Sequence, residues 1–177
     1  MSSQSFSERE LRASLYRESF YDFCRFMWDT VIKEKPVWNW HIPFLCEELQ
    51  EVAERVFVHE PNPYDTVINI PPGTTKSTIC SVLFPAWVWT RMPYAQFINA
   101  SHTHTLALEL ARKCRDVMKS EKYQWLFPEC RIRGDVDAKG FFGLFSGGWR
   151  LSIGLDGSVI GRHGHFLMVD DPLDPKR

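Results

Sequence analysis

Residues 66–78, TVINIPPGTTKST, constrain this chain more than any other stretch. Thr66-Val67-Ile68-Asn69-Ile70 is a short β-branched run and reads as a buried strand. Pro71-Pro72-Gly73-Thr74-Thr75 cannot continue it, because proline has no N–H to give to a ladder. Residues 76–89 then read as a helix. A strand, a tight turn and a helix in succession gather backbone N–H groups and the positive end of a helix dipole around one point, as an anionic phosphate requires. Lys76 would reach terminal phosphates there, and the Ser77 hydroxyl, followed by Thr78, would bind magnesium. The usual GxxxxGK[ST] spacing is not met, since Ile70 and Thr75 stand at its two glycine positions. An ordinary strand–turn–helix connection with an incidental lysine therefore stays open.

The surrounding pattern supplies the fold class. Leu11, Leu15, Tyr16, Phe20, Phe23, Phe26 and Met27 recur at helical spacing from residue 7 to about 31, with Ser7 and Glu10 as a capping box. A second amphipathic helix is expected over 43–57. Beyond the loop come a strand at 96–100, helices at 105–119 and 123–127, an irregular stretch at 130–147, a strand-like run at 149–153 and an apolar strand at 166–169. This order implies an α/β fold with a mostly parallel sheet behind N-terminal helices, dividing the chain into a helical segment 1–62 and a core 63–177.

Composition removes several classes. Aromatic residues at 14% exclude a disordered chain, and no run approaches the roughly 18 apolar residues of a membrane span. The N-terminus, MSSQSFSERE, has no basic region followed by an apolar run, so a cytoplasmic, non-secreted chain is expected. Five cysteines, odd in number and without a CxxC pair, point to buried free thiols rather than disulfides or a zinc site. Residues 1–65 carry 7 basic and 12 acidic side chains, whereas residues 66–165 carry 12 and 7. The basic middle suits a polyanionic partner and equally an ordinary solvated face.

Phe166-Leu167-Met168-Val169 runs straight into Asp170-Asp171. Ligands of a parallel sheet bind beyond the carboxyl ends of its strands, the edge that the phosphate loop would share. Asp170 is then placed to hold magnesium and Asp171 to orient or deprotonate an attacking water. Adjacent carboxylates repel unless a cation lies between them, which gives a metal role its motive; a solvated strand end is the alternative.

Taken in order, these segments resemble the ATPase domain of the large terminase subunit of tailed double-stranded DNA bacteriophages, over about residues 36–177. Trp40-His41 resembles the segment that contributes to the family's adenine pocket, and Pro71-Pro72-Gly73-Thr74-Thr75-Lys76-Ser77 its deviant Walker A loop. Gly147-Gly148-Trp149-Arg150, Gly157-Ser158 and Gly161-Arg162 resemble the approach to Walker B, and Val169-Asp170-Asp171-Pro172 its end. The resemblance implies a three-layer P-loop fold, ATP and Mg2+ as ligands, and hydrolysis that drives DNA into a prohead. His41, Pro72, Gly73, Thr74, Thr75, Lys76, Ser77 and Thr78 would bind nucleotide, with Lys76, Asp171 and Arg162 catalytic and Ser77 and Asp170 on the metal. Arg150 is the second arginine candidate. Double-stranded DNA, the portal protein, the small terminase subunit and sister copies in a ring would be its partners, in the host cytoplasm and transiently docked on the prohead.

Two departures from the family stand out. Thr75 occupies a position where many members have glycine, so the loop must turn differently or accept strain. The chain ends six residues after Asp171, so further strands and the family's nuclease domain are expected to be missing. A folded remnant without catalysis, and another P-loop enzyme such as a helicase or small-molecule kinase, are the competing readings. His102, His104, His163 and His165 form two alternating pairs that nothing in the sequence brings together as a metal site. Trp38 or Trp40 is a candidate to stack on adenine. Lys113, Arg115, Lys119 and Lys122 are candidates for DNA phosphates, against the default of a solvated helix face.

Overall fold

A computed structural model describes residues 7–157 and 161–173. Ser158, part of the glycine-rich approach, lies outside them. The chain opens with helices α1 (Glu8–Glu18), α2 (Phe20–Val31) and α3 (His41–Phe57). The expected capping box is present: the Ser7 hydroxyl accepts the Glu10 N–H, and the Glu10 carboxylate accepts the Ser7 N–H. The single N-terminal helix expected is two, because Ser19 leaves helical geometry and its hydroxyl takes the Asp22 N–H to cap α2.

Residues 66–70 are a correction to the expected buried strand. They pair with no described strand, and Val67 is 89% exposed. Pro71 keeps the preceding residue out of the helical region, but extension without a neighbour makes no ladder. Ile68 and Ile70 alone lean on the core.

After the loop, the expected helix has two parts: a π-helical segment (Thr78–Leu83) and α4 (Phe84–Arg91). Pro85 accounts for the widening. It has no N–H for the Ser81 carbonyl, and its ring would collide with that carbonyl in a regular α-helix. There follow β1 (Gln96–Ser101), α5 (His104–Lys119), α6 (Glu121–Leu126), β2 (Ile132–Asp137), β3 (Phe141–Leu144), β4 (Trp149–Gly154) and β5 (Phe166–Asp170).

The chain is α/β, with a five-stranded sheet in the order β2-β3-β4-β1-β5. β1 is parallel to both β4 and β5, whereas β2–β3 and β3–β4 are antiparallel, so the sheet is mixed where a mostly parallel one was expected. The stretch expected to be irregular supplies the two antiparallel strands. Gly148 lets the backbone close up there: a Cβ on it would stand 2.4 Å from the Pro93 carbonyl oxygen and 2.9 Å from Trp89 Nε1.

Register sets the two faces of the sheet. Phe97, Asn99 and Ser101 stand level with Arg150, Ser152 and Gly154 on one side and with Phe166, Met168 and Asp170 on the other. Buried Arg150 donates to the Ser81 carbonyl in the π-helical segment, which places this face beneath the helices. Phe97 stacks on Phe166 at 4.7 Å, and Phe84 meets both rings edge-on. The opposite face carries Leu167, 71% exposed, and half-exposed Val169. Helices of the described residues thus cover one face, giving two layers where the resemblance implies three. Buried apolar side chains form one cluster running from Ala13 to Phe166, shared by the N-terminal helices and the sheet. No described helix is long and apolar enough to cross a membrane, and all five cysteines are free and buried.

Candidate functional site

The proline-rich turn folds back through its own hydroxyls. Thr74 Oγ1 donates to the Pro71 carbonyl at 2.6 Å, and Thr75 Oγ1 donates to the Thr74 carbonyl at 2.5 Å. Gly73 has φ of 78° and Thr75 has φ of 65°. The loop therefore keeps the left-handed turn and Thr75 accepts the strain, on the order of 1–2 kcal/mol for an L residue with a Cβ. Its carbonyl accepts the Ile79 N–H at 3.0 Å and so starts the following helix.

This loop encloses a cavity of about 280 Å³ lined by Ile70, residues 71–78 and Asp171, so Pro72, Gly73, Thr74, Thr75, Lys76, Ser77 and Thr78 all face one space. A second cavity, about 350 Å³, shares Gly73, Thr74 and Thr75 and is otherwise walled by residues including Trp28, Ile32, Val37, His41 and Ile42. The His41 ring nitrogen Nε2 lies 3.4 Å from the Thr74 carbonyl oxygen. Trp40 is 74% exposed and turned outward. Trp38 packs against Trp28 at 4.9 Å and Tyr21 at 5.9 Å, as a structural anchor does.

Lys76 joins the two halves of the site across 95 residues of sequence. Its Nζ donates to Asp171 Oδ1 at 2.5 Å and stands 3.6 Å from Asp170 Oδ1. Partial burial pulls the lysine pKa down, but the hydrogen bond and both carboxylate charges outweigh it and hold the ammonium above its ordinary value. Asp170 is buried at the carboxyl end of β5, and its Oδ2 accepts the Ser81 hydroxyl at 3.2 Å. Asp171 leaves the strand at φ 46°, and its carbonyl accepts the His102 N–H at 3.2 Å.

No described group of three or more His, Cys, Asp or Glu side chains could hold a metal ion alone. Asp170 and Ser77 are nevertheless hard oxygen donors, and Mg2+ takes one or two carboxylates while completing its shell with phosphate oxygens and water. That donor set fits magnesium bound together with a phosphate.

Other candidates are not brought here. Arg162 lies over the Phe141 and Trp149 rings, at 4.9 and 5.9 Å, with Trp149 at the start of β4 and the Lys76 site at the far, carboxyl edge of the sheet. Within one chain it does not line the loop cavity. Arg150 is fully buried, its pKa lowered by desolvation, and its guanidinium is directed at Ser81 and Ser152 rather than at the loop cavity. His165 accepts the Gln96 N–H at the amino end of β1, while His102 and His104 follow its carboxyl end, so the two pairs lie at opposite edges. The α5–α6 cations are engaged in ion pairs: Lys113 with Glu109, Arg115 and Lys119 with Asp137, Lys122 with Asp29.

Ser81 and the interior role of Arg150 are absent from the sequence reading. Pro85 was the available signal, since a proline four residues after Ser81 leaves that serine's carbonyl in need of another donor.

Comparison of the chain with protein-family models, with curated proteins and with solved structures finds no match in any of the three.

Proposed function

We propose that the chain binds Mg-ATP in the 71–78 loop and hydrolyses it as the ATPase portion of a phage DNA-packaging motor of the large-terminase kind. The observation that carries this is Lys76: it lines the loop cavity, and its ammonium meets both carboxylates that close an apolar strand. In this scheme backbone N–H groups of the loop and Lys76 hold the β- and γ-phosphates, with Ser77 and Asp170 as metal ligands. Magnesium, when bound, would neutralise phosphate charge. Asp171 exchanges its bond to Lys76 for one to the attacking water, which it orients and whose proton it accepts. The neighbouring cavity beside His41 takes the nucleobase, with Trp28 and Ile42 in its wall. Arg162, which lies over Phe141 and Trp149 away from the loop, serves a neighbouring copy's γ-phosphate. Double-stranded DNA, the portal protein, the small terminase subunit and sister copies in a ring are the proposed partners.

Titration of Mg-ATP into the chain and into Lys76→Ala tests the site. We expect measurable binding that falls by at least about tenfold in the variant, as loss of a charge-assisted phosphate contact implies. Equal, negligible binding overturns the nucleotide site. ATP turnover that rises with duplex DNA supports the motor; turnover that ignores DNA and responds to a small phosphate acceptor favours another P-loop enzyme.

A further inference from the structure

We infer that Ser81 and Arg150 are a positioning pair for Asp170, fixing which of its carboxylate oxygens faces Lys76; this rests on the metal role proposed for Asp170. Arg150 is wholly buried on β4 and makes no ion pair among the described residues. Its Nη1 donates to the Ser81 carbonyl at 2.6 Å, its Nε donates to the Ser152 hydroxyl at 3.1 Å, and its Nη2 has no partner. A guanidinium buried on such terms is a poor way to stabilise a core, where an apolar residue of similar volume does as well or better. Its contacts are the better explanation. Pro85 leaves the Ser81 carbonyl without the N–H of a regular helix, and Arg150 supplies the donor.

The consequence falls on Asp170. With its backbone gripped by Arg150, Ser81 turns its hydroxyl onto Asp170 Oδ2 at 3.2 Å. The other oxygen, Oδ1, is the one that lies 3.6 Å from Lys76 at the loop. One carboxylate oxygen is thus tied inward and the other presented outward, ready for one-point ligation of a cation. Outer hydrogen-bond partners of metal ligands act in this way, and their removal weakens metal affinity by about ten- to a hundredfold.

The test is calorimetric titration of ATP, with Mg2+ and with EDTA, into the 177-residue chain as wild type, Ser81→Ala, Ser81→Thr and Arg150→Lys. In the wild type Mg2+ raises ATP affinity. Ser81→Ala is expected to lose about tenfold of that gain while its affinity in EDTA is unchanged, and Ser81→Thr, which keeps the hydroxyl, retains the gain. Arg150→Lys keeps the charge but not the two-point grip, and it loses part of the gain. It also provides the same measurement from a different element should Ser81→Ala fail to fold. A Mg2+ gain in Ser81→Ala equal to wild type overturns the proposal, as does an equal loss with and without metal, which marks a merely structural role. A wild type that binds no ATP overturns the nucleotide site itself, and one that binds ATP without gain from Mg2+ overturns the metal role of Asp170 and this proposal with it.

Discussion

Two apolar runs of similar appearance lead into the candidate site, and they fold differently. Residues 66–70 enter the loop and residues 166–170 end at the paired aspartates. The second run is β5, hydrogen-bonded along β1, with Phe166 only 6% exposed and stacked on Phe97. The first pairs with no described strand, and Val67 is 89% exposed. β-branching makes a segment fit for a sheet, but a strand exists only where a neighbour supplies the other half of its hydrogen bonds. Both runs nonetheless finish in the same way. Each delivers a left-handed residue other than glycine, Thr75 at φ 65° and Asp171 at φ 46°, and Lys76 bridges the two ends.

The sharpest way to break this comparison is to truncate one side chain in each run. Phe166→Ala should cost about 3–5 kcal/mol, since it empties a stack shared with Phe97 and Phe84. Val67→Ala should stay within about 0.5 kcal/mol. Urea unfolding of both variants decides it: equal costs would show that residues 66–70 are packed in solution as tightly as β5.

The loop strain offers a middle-sized effect of opposite sign. Thr75→Gly removes a β-branched side chain from positive φ and should stabilise by about 1 kcal/mol, raising Tm by roughly 2–4 °C for a chain of this size. Asp171→Gly should give no such gain, because aspartate tolerates that region better and its ion pair to Lys76 would be lost. A Thr75→Gly variant that melts lower than wild type would mean the threonine's hydrogen bond to Thr74 outweighs its strain.

The smallest effect concerns pH. Lys76 has its folded pKa raised above the unfolded value, so its contribution is complete below the ordinary lysine value of about 10.4 and fades as pH climbs through the folded one. The stability difference between wild type and Lys76→Met should therefore be flat from about pH 6 to 9 and shrink only in stronger alkali. A difference that changes across neutrality would show that another group controls the pair. Burial, with the nearby Asp170 charge, pushes Cys80 up to about 12, and all five cysteines are buried, so a thiol reagent at neutral pH should label none of them before unfolding.

What was legible in the sequence was local. Ser7 and Glu10 announce a helix start because capping is settled within four residues. Phe166 to Val169 announce a strand ending at Asp170, since a short apolar run can be satisfied by sheet pairing in the core. Ser19 was missed as a break because the apolar spacing continues across it. β2 and β3 were missed because Gly134, Gly140 and Gly143 interrupt any alternation, and pairing with β4 decides what local preference does not. Of the site, Lys76, Asp170 and Asp171 were legible as charge placed at element ends. Arg150 was not, because a charged residue beside a glycine turn gives no hint that the strand will turn it inward.

The sequence by itself determined where the chain must turn and which carbonyl lacks a donor. Pro71-Pro72 stops any strand ladder, and Pro85 strips Ser81 of its helical hydrogen bond. These follow from sterics and missing N–H groups within a few residues. Only the tertiary structure decided that β5 finds a partner while residues 66–70 do not, that Lys76 meets Asp171 from 95 residues away, and that Arg150 answers the Ser81 carbonyl. Each of those needs a second group brought from a distant part of the chain, and burial of the shared core is what brings it.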